Sequence, residues 1–200
     1  MTAIIGMERD GVAYIGADSA ASSDDLSTVI AEPKVFRKGE YVIGYSYSFR
    51  FGNLLQHAWD APGLPESLRT NPAGIDAFMV NSVAQSIHTL LESRKALRSK
   101  DSNSETGCAL IAIRGRLYEY ERDGYILRTK DGIAATGSAY IALLASIKTL
   151  HSCDWAAAPG GTGAMDVPSQ LLAALRVAED LTPSRVRAPF RVMGTNGVDF

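Results

Sequence analysis

The sequence has 200 residues, of which 46% are hydrophobic and 21% charged, and its formal net charge is −2 at pH 7. This length suits one domain with a sizeable core, so we expect a single domain over residues 1–200. The charge balance gives no basic excess for nucleic acid or an anionic membrane surface, and every apolar run is shorter than the roughly 20 residues that span a bilayer. Two cysteines, Cys108 and Cys153, are too few for a disulfide scaffold, so we expect a reducing, cytoplasmic setting.

The first part of the chain carries two hairpin signals. Apolar runs at 3–7 and 12–17 flank Asp10-Gly11, a dipeptide favoured in tight turns between antiparallel strands. A second pair of runs, at 35–36 and 41–45, flanks a Lys-Gly-Glu turn. The stretch 18–33 between the hairpins is rich in Ser, Ala and Asp, and we expect an irregular loop there.

Helical spacing of apolar residues dominates the next part of the chain. A short helix is expected over 51–59. A longer helix begins after Asn71-Pro72, which combines a capping residue with a proline, and keeps apolar residues on one face as far as Leu91. The polar stretch 94–105 predicts a loop.

The second half of the chain repeats the order of strands followed by helices. The predicted elements are strands at 108–113 and 117–120, two short strands marked by Asp123-Gly124 and Asp131-Gly132, helices around 140–150 and 171–178, and a last strand at 190–193. Because hairpins dominate, the sheets should be antiparallel, and two sheets packed face to face would leave each outer face to helices. The sequence therefore predicts an α+β fold, a four-layer α/β/β/α sandwich.

The second residue of the chain is a candidate nucleophile. The small side chain of Thr2 favours removal of Met1, after which Thr2 carries both a hydroxyl and a free α-amine. Such an amine has an ordinary pKa of about 7.7–8.0, so it can act near neutral pH as the base for its own hydroxyl. Because many chains begin with Met-Thr, this observation needs support from the rest of the sequence.

Two charged residues provide that support through their spacing. Asp18 ends the second predicted strand sixteen residues after Thr2, and Lys34 opens the third strand after sixteen more. A hairpin returns the end of the second strand to the start of the first, so Asp18 is expected beside Thr2. The positive charge of Lys34 would lower the pKa of the threonine hydroxyl and amine. The competing interpretation is that Asp18 closes a turn and that Lys34 is a solvated strand-end residue.

These segments resemble a known family. Thr2-Ala-Ile-Ile-Gly, the run from Asp10 to Ser19 and Pro33-Lys34-Val-Phe are similar to the opening of catalytic proteasome β subunits and of the bacterial HslV-type peptidase. Segments 115–120 and 131–138 resemble the same family, so the similarity covers nearly the whole chain. It implies an N-terminal-nucleophile hydrolase fold and a threonine-type endopeptidase.

The resemblance also implies roles for individual residues. Thr2 would attack the peptide carbonyl and form an acyl-enzyme, while Asp18 and Lys34 set its protonation. Ser138, which follows a glycine at a helix start, matches the serine that hydrogen-bonds near the threonine amine. Asp180 matches the family's late aspartate.

The sequence departs from the family in the region of the oxyanion hole. The family has a glycine there whose N–H binds the oxyanion, whereas Tyr47 is the expected occupant here, with Ser48 as the next candidate. Any residue except proline supplies an N–H, but a backbone conformation suited to glycine would strain a tyrosine. Tyr45 or Ser46 is expected to line the pocket for the substrate side chain.

No cofactor or metal is expected. The three histidines have no spacing typical of a metal site, and the glycine-rich run at 159–163 lacks the Gly-Lys-Ser/Thr ending of a phosphate-binding loop. The partners implied by the resemblance are a peptide or unfolded protein substrate, further copies of the chain in a ring or helical oligomer, and an ATP-dependent unfoldase. Two alternatives remain open: an inactive, structural subunit of the same fold, and an amidase that acts on small amides.

Overall fold

The computed structural model describes residues 2–22, 27–97, 106–152, 165–182 and 185–200. Cys153, the glycine-rich run at 159–163 and most of the loop expected at 94–105 lie outside these residues. The strands are β1 (Ile4–Arg9), β2 (Val12–Ala17), β3 (Ala20–Ser22), β4 (Ser27–Val29), β5 (Val35–Lys38), β6 (Tyr41–Ser46), β7 (Cys108–Ile113), β8 (Arg116–Tyr120), β9 (Ile126–Leu127), β10 (Ile133–Thr136) and β11 (Arg191–Gly194).

Two antiparallel sheets form the centre of the fold. The first has the strand order β10-β1-β2-β11 and the second has the order β5-β6-β7-β8-β9. The predicted turn at Asp10-Gly11 has positive φ at both residues, as a tight hairpin requires, and it pairs Ile4 with Ala17. The stretch 18–33 was expected to be irregular, and that expectation is wrong in part, because β3 and β4 pair there as a small separate hairpin.

The helices lie in two groups. The first group contains α1 (Phe49–His57), α2 (Glu66–Thr70), α3 (Ile75–Phe78) and α4 (Gln85–Ser93), and the second contains α5 (Tyr140–Ser152) and α6 (Val167–Leu181). The longer helix predicted after Asn71-Pro72 begins with a 3₁₀ turn at Pro72–Gly74 and contains a π-helical segment at Met79–Ala84. Asp166 caps α6, since its carboxylate accepts a hydrogen bond from the N–H of Ser169 over 2.7 Å.

Three apolar clusters show how the layers stack. One, which includes Ile15 and Leu110, lies between the two sheets. A second packs α1 to α4 against the outer face of the five-stranded sheet, and a third packs α5 and α6 against the outer face of the four-stranded sheet. Three interfaces between four layers give the predicted α/β/β/α sandwich. In the described part of the chain, no helix has the length and apolar character needed to cross a membrane.

Candidate active site

Asp18 ties the end of β2 to the start of the chain. Because the β1–β2 register pairs Ile4 with Ala17, the next residue on each strand brings Asp18 opposite Ala3. The backbone N–H of Ala3 donates to Oδ1 of Asp18 over 2.9 Å, and the N–H of Asp18 donates to the carbonyl of Ala3 over 3.1 Å. The other carboxylate oxygen accepts from the N–H of Ala20 over 3.0 Å. The carboxylate therefore fixes the backbone directly after Thr2.

Lys34 reaches the same carboxylate from the start of β5. Its Nζ donates to Oδ1 of Asp18 over 2.8 Å, and both side chains are 0% exposed. Burial lowers the pKa of Lys34, while the negative charge and hydrogen bond of Asp18 oppose that shift. Because an unpaired buried charge is costly, the two residues depend on each other in the folded state.

Thr2 lies against the turn that precedes α5. Its backbone N–H points to Oγ of Ser138 at 3.4 Å, and the residue is 7% exposed. Gly137 has a φ of +94°, and a Cβ at this position would overlap the carbonyl oxygen of Thr2. A glycine is needed here for both its backbone conformation and its lack of a side chain. The turn can approach Thr2 this closely only because of that glycine.

Tyr47 occupies a strained turn between β6 and α1. Its φ is +68°, and the N–H of Ser48 donates to the carbonyl of Ser46 over 2.9 Å. This bond closes a γ-turn with a positive φ at its centre, the rarer and more strained of the two forms. The side chain of Ser48 then accepts a hydrogen bond from the N–H of Phe51 over 3.2 Å and caps α1.

The γ-turn distinguishes the two candidate oxyanion donors. The N–H of Ser48 is bonded to Ser46, whereas the N–H of Tyr47 donates no hydrogen bond within the described residues. Tyr47 has the backbone conformation that a glycine would adopt most easily, although its own side chain makes that conformation costly by about 1–2 kcal/mol. Of the two, Tyr47 is therefore the residue with an N–H available to a ligand.

A cavity of about 400 Å³ opens beside the nucleophile candidate, and we call it the Thr2 cavity. It is lined by Thr2, Ser22, Tyr45, Tyr47, Ser48, Phe49 and Ser138. The ring of Tyr45 packs edge-on to that of Phe49, with centroids 6.3 Å apart, and gives the cavity an aromatic wall. Burial and the negative charges of Glu32 and Asp18 raise the pKa of Tyr45 to about 12, so its hydroxyl stays neutral.

The structure brings together most of the predicted site residues. Ser46, which was predicted with Tyr45 as a pocket residue, is buried and does not line the Thr2 cavity. Its hydroxyl lies 2.9 Å from that of Thr136. Asp180 is exposed near the end of α6 and does not line the Thr2 cavity. Sequence reasoning missed Ser22 and Phe49 as cavity residues. The only signal for Phe49 was its place directly after a serine that can cap a helix.

Comparison with known proteins gives matches only at the level of structure. No family model and no curated protein matches this sequence. Thiobacillus denitrificans BPH in complex with epoxomicin is similar with a TM-score of 0.74 and 16% identity, over 96% of this chain and 97% of that chain. A second structure of the same protein has a TM-score of 0.71 and 18% identity, over 96% and 97%. HslV from Trypanosoma brucei has a TM-score of 0.68 and 17% identity, over 96% and 98%.

These similarities confirm the predicted fold. They extend over almost the full length of both compared chains, so the similarity covers the whole described arrangement of layers and is not limited to one motif. The chain shares the fold of these BPH and HslV structures. At 16–18% identity the similarity establishes this fold alone, and the chemistry must be argued from the residues.

Proposed function

We propose that this chain is a threonine-type endopeptidase in which Thr2, after removal of Met1, attacks the carbonyl carbon of a peptide bond. The observation that carries the proposal is the Asp18 carboxylate, which binds the Lys34 ammonium and also the backbone of Ala3, the neighbour of the nucleophile. A cation held at this segment lowers the pKa of both the hydroxyl and the α-amine of Thr2, so the amine can serve as a base near neutral pH.

The reaction needs only the groups of this chain and water. The α-amine of Thr2 takes the proton of its own hydroxyl, directly or through a water molecule, as Oγ bonds to the carbonyl carbon. The same proton then passes to the leaving amine as the C–N bond breaks, which leaves an ester on Thr2. Water hydrolyses the ester and restores the hydroxyl. Ser138, whose hydroxyl accepts from the Thr2 nitrogen at 3.4 Å, orients that nitrogen.

The negative oxygen of the tetrahedral intermediate requires a donor. Tyr47 supports this role, because the residue lines the Thr2 cavity and its N–H donates no hydrogen bond within the described part of the chain. One such donor contributes about 10²–10³ in kcat in other hydrolases. Because the γ-turn fixes the N–H before substrate binds, no reorganisation is needed during the reaction.

The proposal extends to self-association. Both helices of the second group expose apolar side chains: Tyr140 and Ile141 at the start of α5, and Val177 and Leu181 on α6. We propose that such surfaces join copies of the chain into a ring or helical oligomer that encloses Thr2, in the cytoplasm, with an ATP-dependent unfoldase supplying unfolded protein. Light scattering should give a multiple of the protomer mass, and Ile141→Glu with Leu181→Glu should shift it towards the monomer.

A peptide epoxyketone tests the nucleophile directly, because this reagent requires a hydroxyl and a free amine on one residue. We expect the intact mass to show a chain without Met1 that carries one adduct on the N-terminal peptide. Thr2→Ala should carry none, and Thr2→Ser should retain the adduct because it keeps both reacting groups. Hydrolysis of peptides compared with small amides then separates a peptidase from an amidase of the same fold.

Two results would overturn the proposal. A chain that keeps Met1 in its native form has no free amine on Thr2 and cannot use this mechanism. A chain that loses Met1 but neither forms the adduct nor hydrolyses any peptide would favour the structural, inactive subunit. The strained backbone of Tyr47 would then be the first candidate cause of the missing activity.

A further inference from the structure

Tyr47 also borders a second cavity. It measures about 480 Å³, and Tyr47 is the one residue that lines both this cavity and the Thr2 cavity among the residues the structure describes. We call it the carboxylate cavity, after Glu119, Glu121 and Asp131 in its wall. Tyr47 therefore borders both the space beside the proposed nucleophile and a second space of similar size.

The ring of Tyr47 is fixed from both ends. At the backbone, the γ-turn and the capping Ser48 hold the residue in its strained conformation. At the ring, the guanidinium carbon of Arg122 lies 4.0 Å from the centroid, within the range of a cation–π contact. Tyr47 is 45% exposed, so its ring is held by this contact and not by burial in a core.

The carboxylate cavity carries an excess of negative charge. Its two cationic residues are engaged, since Lys148 binds Asp131 over 2.6 Å and Arg122 lies over the Tyr47 ring. Glu119 has no side-chain hydrogen bond or ion pair within the described residues. Burial and the negative charges of Glu121 and Asp131 raise its pKa to about 6, so at pH 7.5 it is a carboxylate with no counterion among the residues that the structure describes.

We propose that Tyr47 determines substrate specificity by separating the Thr2 cavity from the carboxylate cavity. The ring excludes substrate side chains from Glu119, so the wild-type chain does not select basic residues there. Removing the ring joins the two cavities and lets a lysine or arginine side chain of the substrate reach the unpaired carboxylate. The inference rests on the proposed peptidase function and adds the charge class of the substrate that this one side chain excludes.

The test uses pairs of peptides that are identical except for one residue next to the scissile bond, which is arginine in one peptide and norleucine in the other. One pair varies the residue before the bond, and a second pair varies the residue after it. Tyr47→Ala and Tyr47→Gly should raise the arginine-to-norleucine ratio of kcat/KM about tenfold or more at pH 7.5, because a charge-assisted hydrogen bond becomes available. Tyr47→Phe keeps the ring and should keep the wild-type ratio. Tyr47→Gly should have a higher kcat than Tyr47→Ala, since only glycine removes the strain of the positive φ.

Two further variants locate the effect. Adding Glu119→Gln to Tyr47→Gly should abolish the gain for arginine, because the amide offers no charge. Tyr125→Ala should leave both the ratio and the activity unchanged, since Tyr125 is similarly exposed, at 48%, but lines neither cavity. A wild-type ratio in both Tyr47→Ala and Tyr47→Gly would overturn the inference.

Failure of this inference can be distinguished from failure of the proposed function. Binding of the same two peptides, measured by fluorescence anisotropy in chains that also carry Thr2→Ala, reports on the separation of the cavities without any turnover. If the wild-type chain neither hydrolyses peptides nor takes the epoxyketone adduct, the proposed function fails, whatever the binding ratio. If it does either, and binding and kinetic ratios stay constant across the Tyr47 variants, only the role of Tyr47 fails.

Discussion

Lys34 donates a hydrogen bond from Nζ to Oδ1 of Asp18 over 2.8 Å, and neither side chain is exposed. Such a pair adds little stability by itself, because removing two charges from water costs about as much as their attraction returns. The position of the pair is therefore better explained by the hydrogen bond that Asp18 accepts from the backbone of Ala3, next to Thr2. Activity and stability should therefore respond differently when the pair is changed.

Lys34→Met should lower the free energy of unfolding by about 3–5 kcal/mol, because it leaves a buried carboxylate without its counterion. The double variant Asp18→Asn/Lys34→Met removes both charges and should recover much of that loss. Its peptidase activity should stay as low as that of the single variant, since no cation then acts on Thr2. Urea unfolding and kcat on one peptide measure the two effects. Recovery of activity in the double variant would contradict the assigned role of Lys34.

The stability of the Asp18→Asn variant should depend more strongly on pH than that of Lys34→Met. The pKa of Lys34 lies below its ordinary value of 10.5 because of burial, and loss of Asp18 removes the two effects that oppose this shift. Between the lowered pKa and 10.5 the unfolded chain binds more protons, so the stability of Asp18→Asn should rise with pH in that window. Urea unfolding at pH 7 and pH 9.5 measures the slope. Lys34→Met, which lacks the titrating group, should show no such rise.

Gly137→Ala should disrupt the site far more than its backbone conformation alone explains. A Cβ there would overlap the carbonyl of Thr2, and the φ of +94° is unfavourable to any side chain. Gly197→Ala is the matched control, because Gly197 has a φ of +88° and open space around its missing Cβ. Both variants should lose about 1–2 kcal/mol from the positive φ. Only Gly137→Ala should also lose epoxyketone labelling, and equal labelling of the two would contradict the close approach to Thr2.

Much of the site can be predicted from residue spacing alone, because one turn determines which residues of the first two strands lie opposite each other. Asp10-Gly11 determines the register of the first hairpin, and that register places Asp18 beside Ala3 without any further information. The fold class follows in the same way from the succession of hairpins and helices. Local signals of this kind are reliable where the turn, the strand pattern and the burial all agree.

The features that the sequence does not predict depend on neighbours distant in the chain or on weak patterns. The positive φ of Tyr47 persists because the surrounding bonds hold it, and no propensity favours it in a tyrosine. The hairpin of β3 and β4 lies in a Ser-rich stretch without alternating apolar residues. The π-helical segment at Met79–Ala84 keeps apolar residues on one face, so its pattern resembles that of an α-helix.

Glu8 forms a polar connection between the two sheets. It lies on β1, and its Oε1 accepts hydrogen bonds from the N–H of Leu117 on β8, over 2.5 Å, and from Nε of Arg128, over 2.9 Å. Glu8→Ala should lower the free energy of unfolding by about 1.5–3 kcal/mol, because the N–H of Leu117 loses a charged acceptor. Arg128→Ala removes a half-exposed partner and should cost less, about 1 kcal/mol or below. Thermal unfolding of both variants measures which of the two loses more stability.

Glu119→Gln should stabilise the protein at neutral pH and not at acidic pH. Burial and the neighbouring Glu121 and Asp131 raise the pKa of Glu119 from 4.5 to about 6. The folded chain therefore holds the proton more tightly than the unfolded chain, and the wild type loses stability as pH rises from 4.5 through 6. Glutamine has no proton to lose. Because the side chain is partly solvated, the gain of Glu119→Gln above that window should be about 1 kcal/mol or less.

Unfolding of the wild type and Glu119→Gln at pH 4 and pH 7.5 measures this difference. The two proteins should be equally stable at pH 4, where both side chains are neutral, and the variant should be the more stable at pH 7.5. Glu92→Gln, which removes one negative charge from an exposed position on α4, corrects for the change in net charge. An equal gain for Glu119→Gln at both values would mean that the amide packs better in the cavity wall. In that case the unpaired carboxylate is not the cause of the stabilisation.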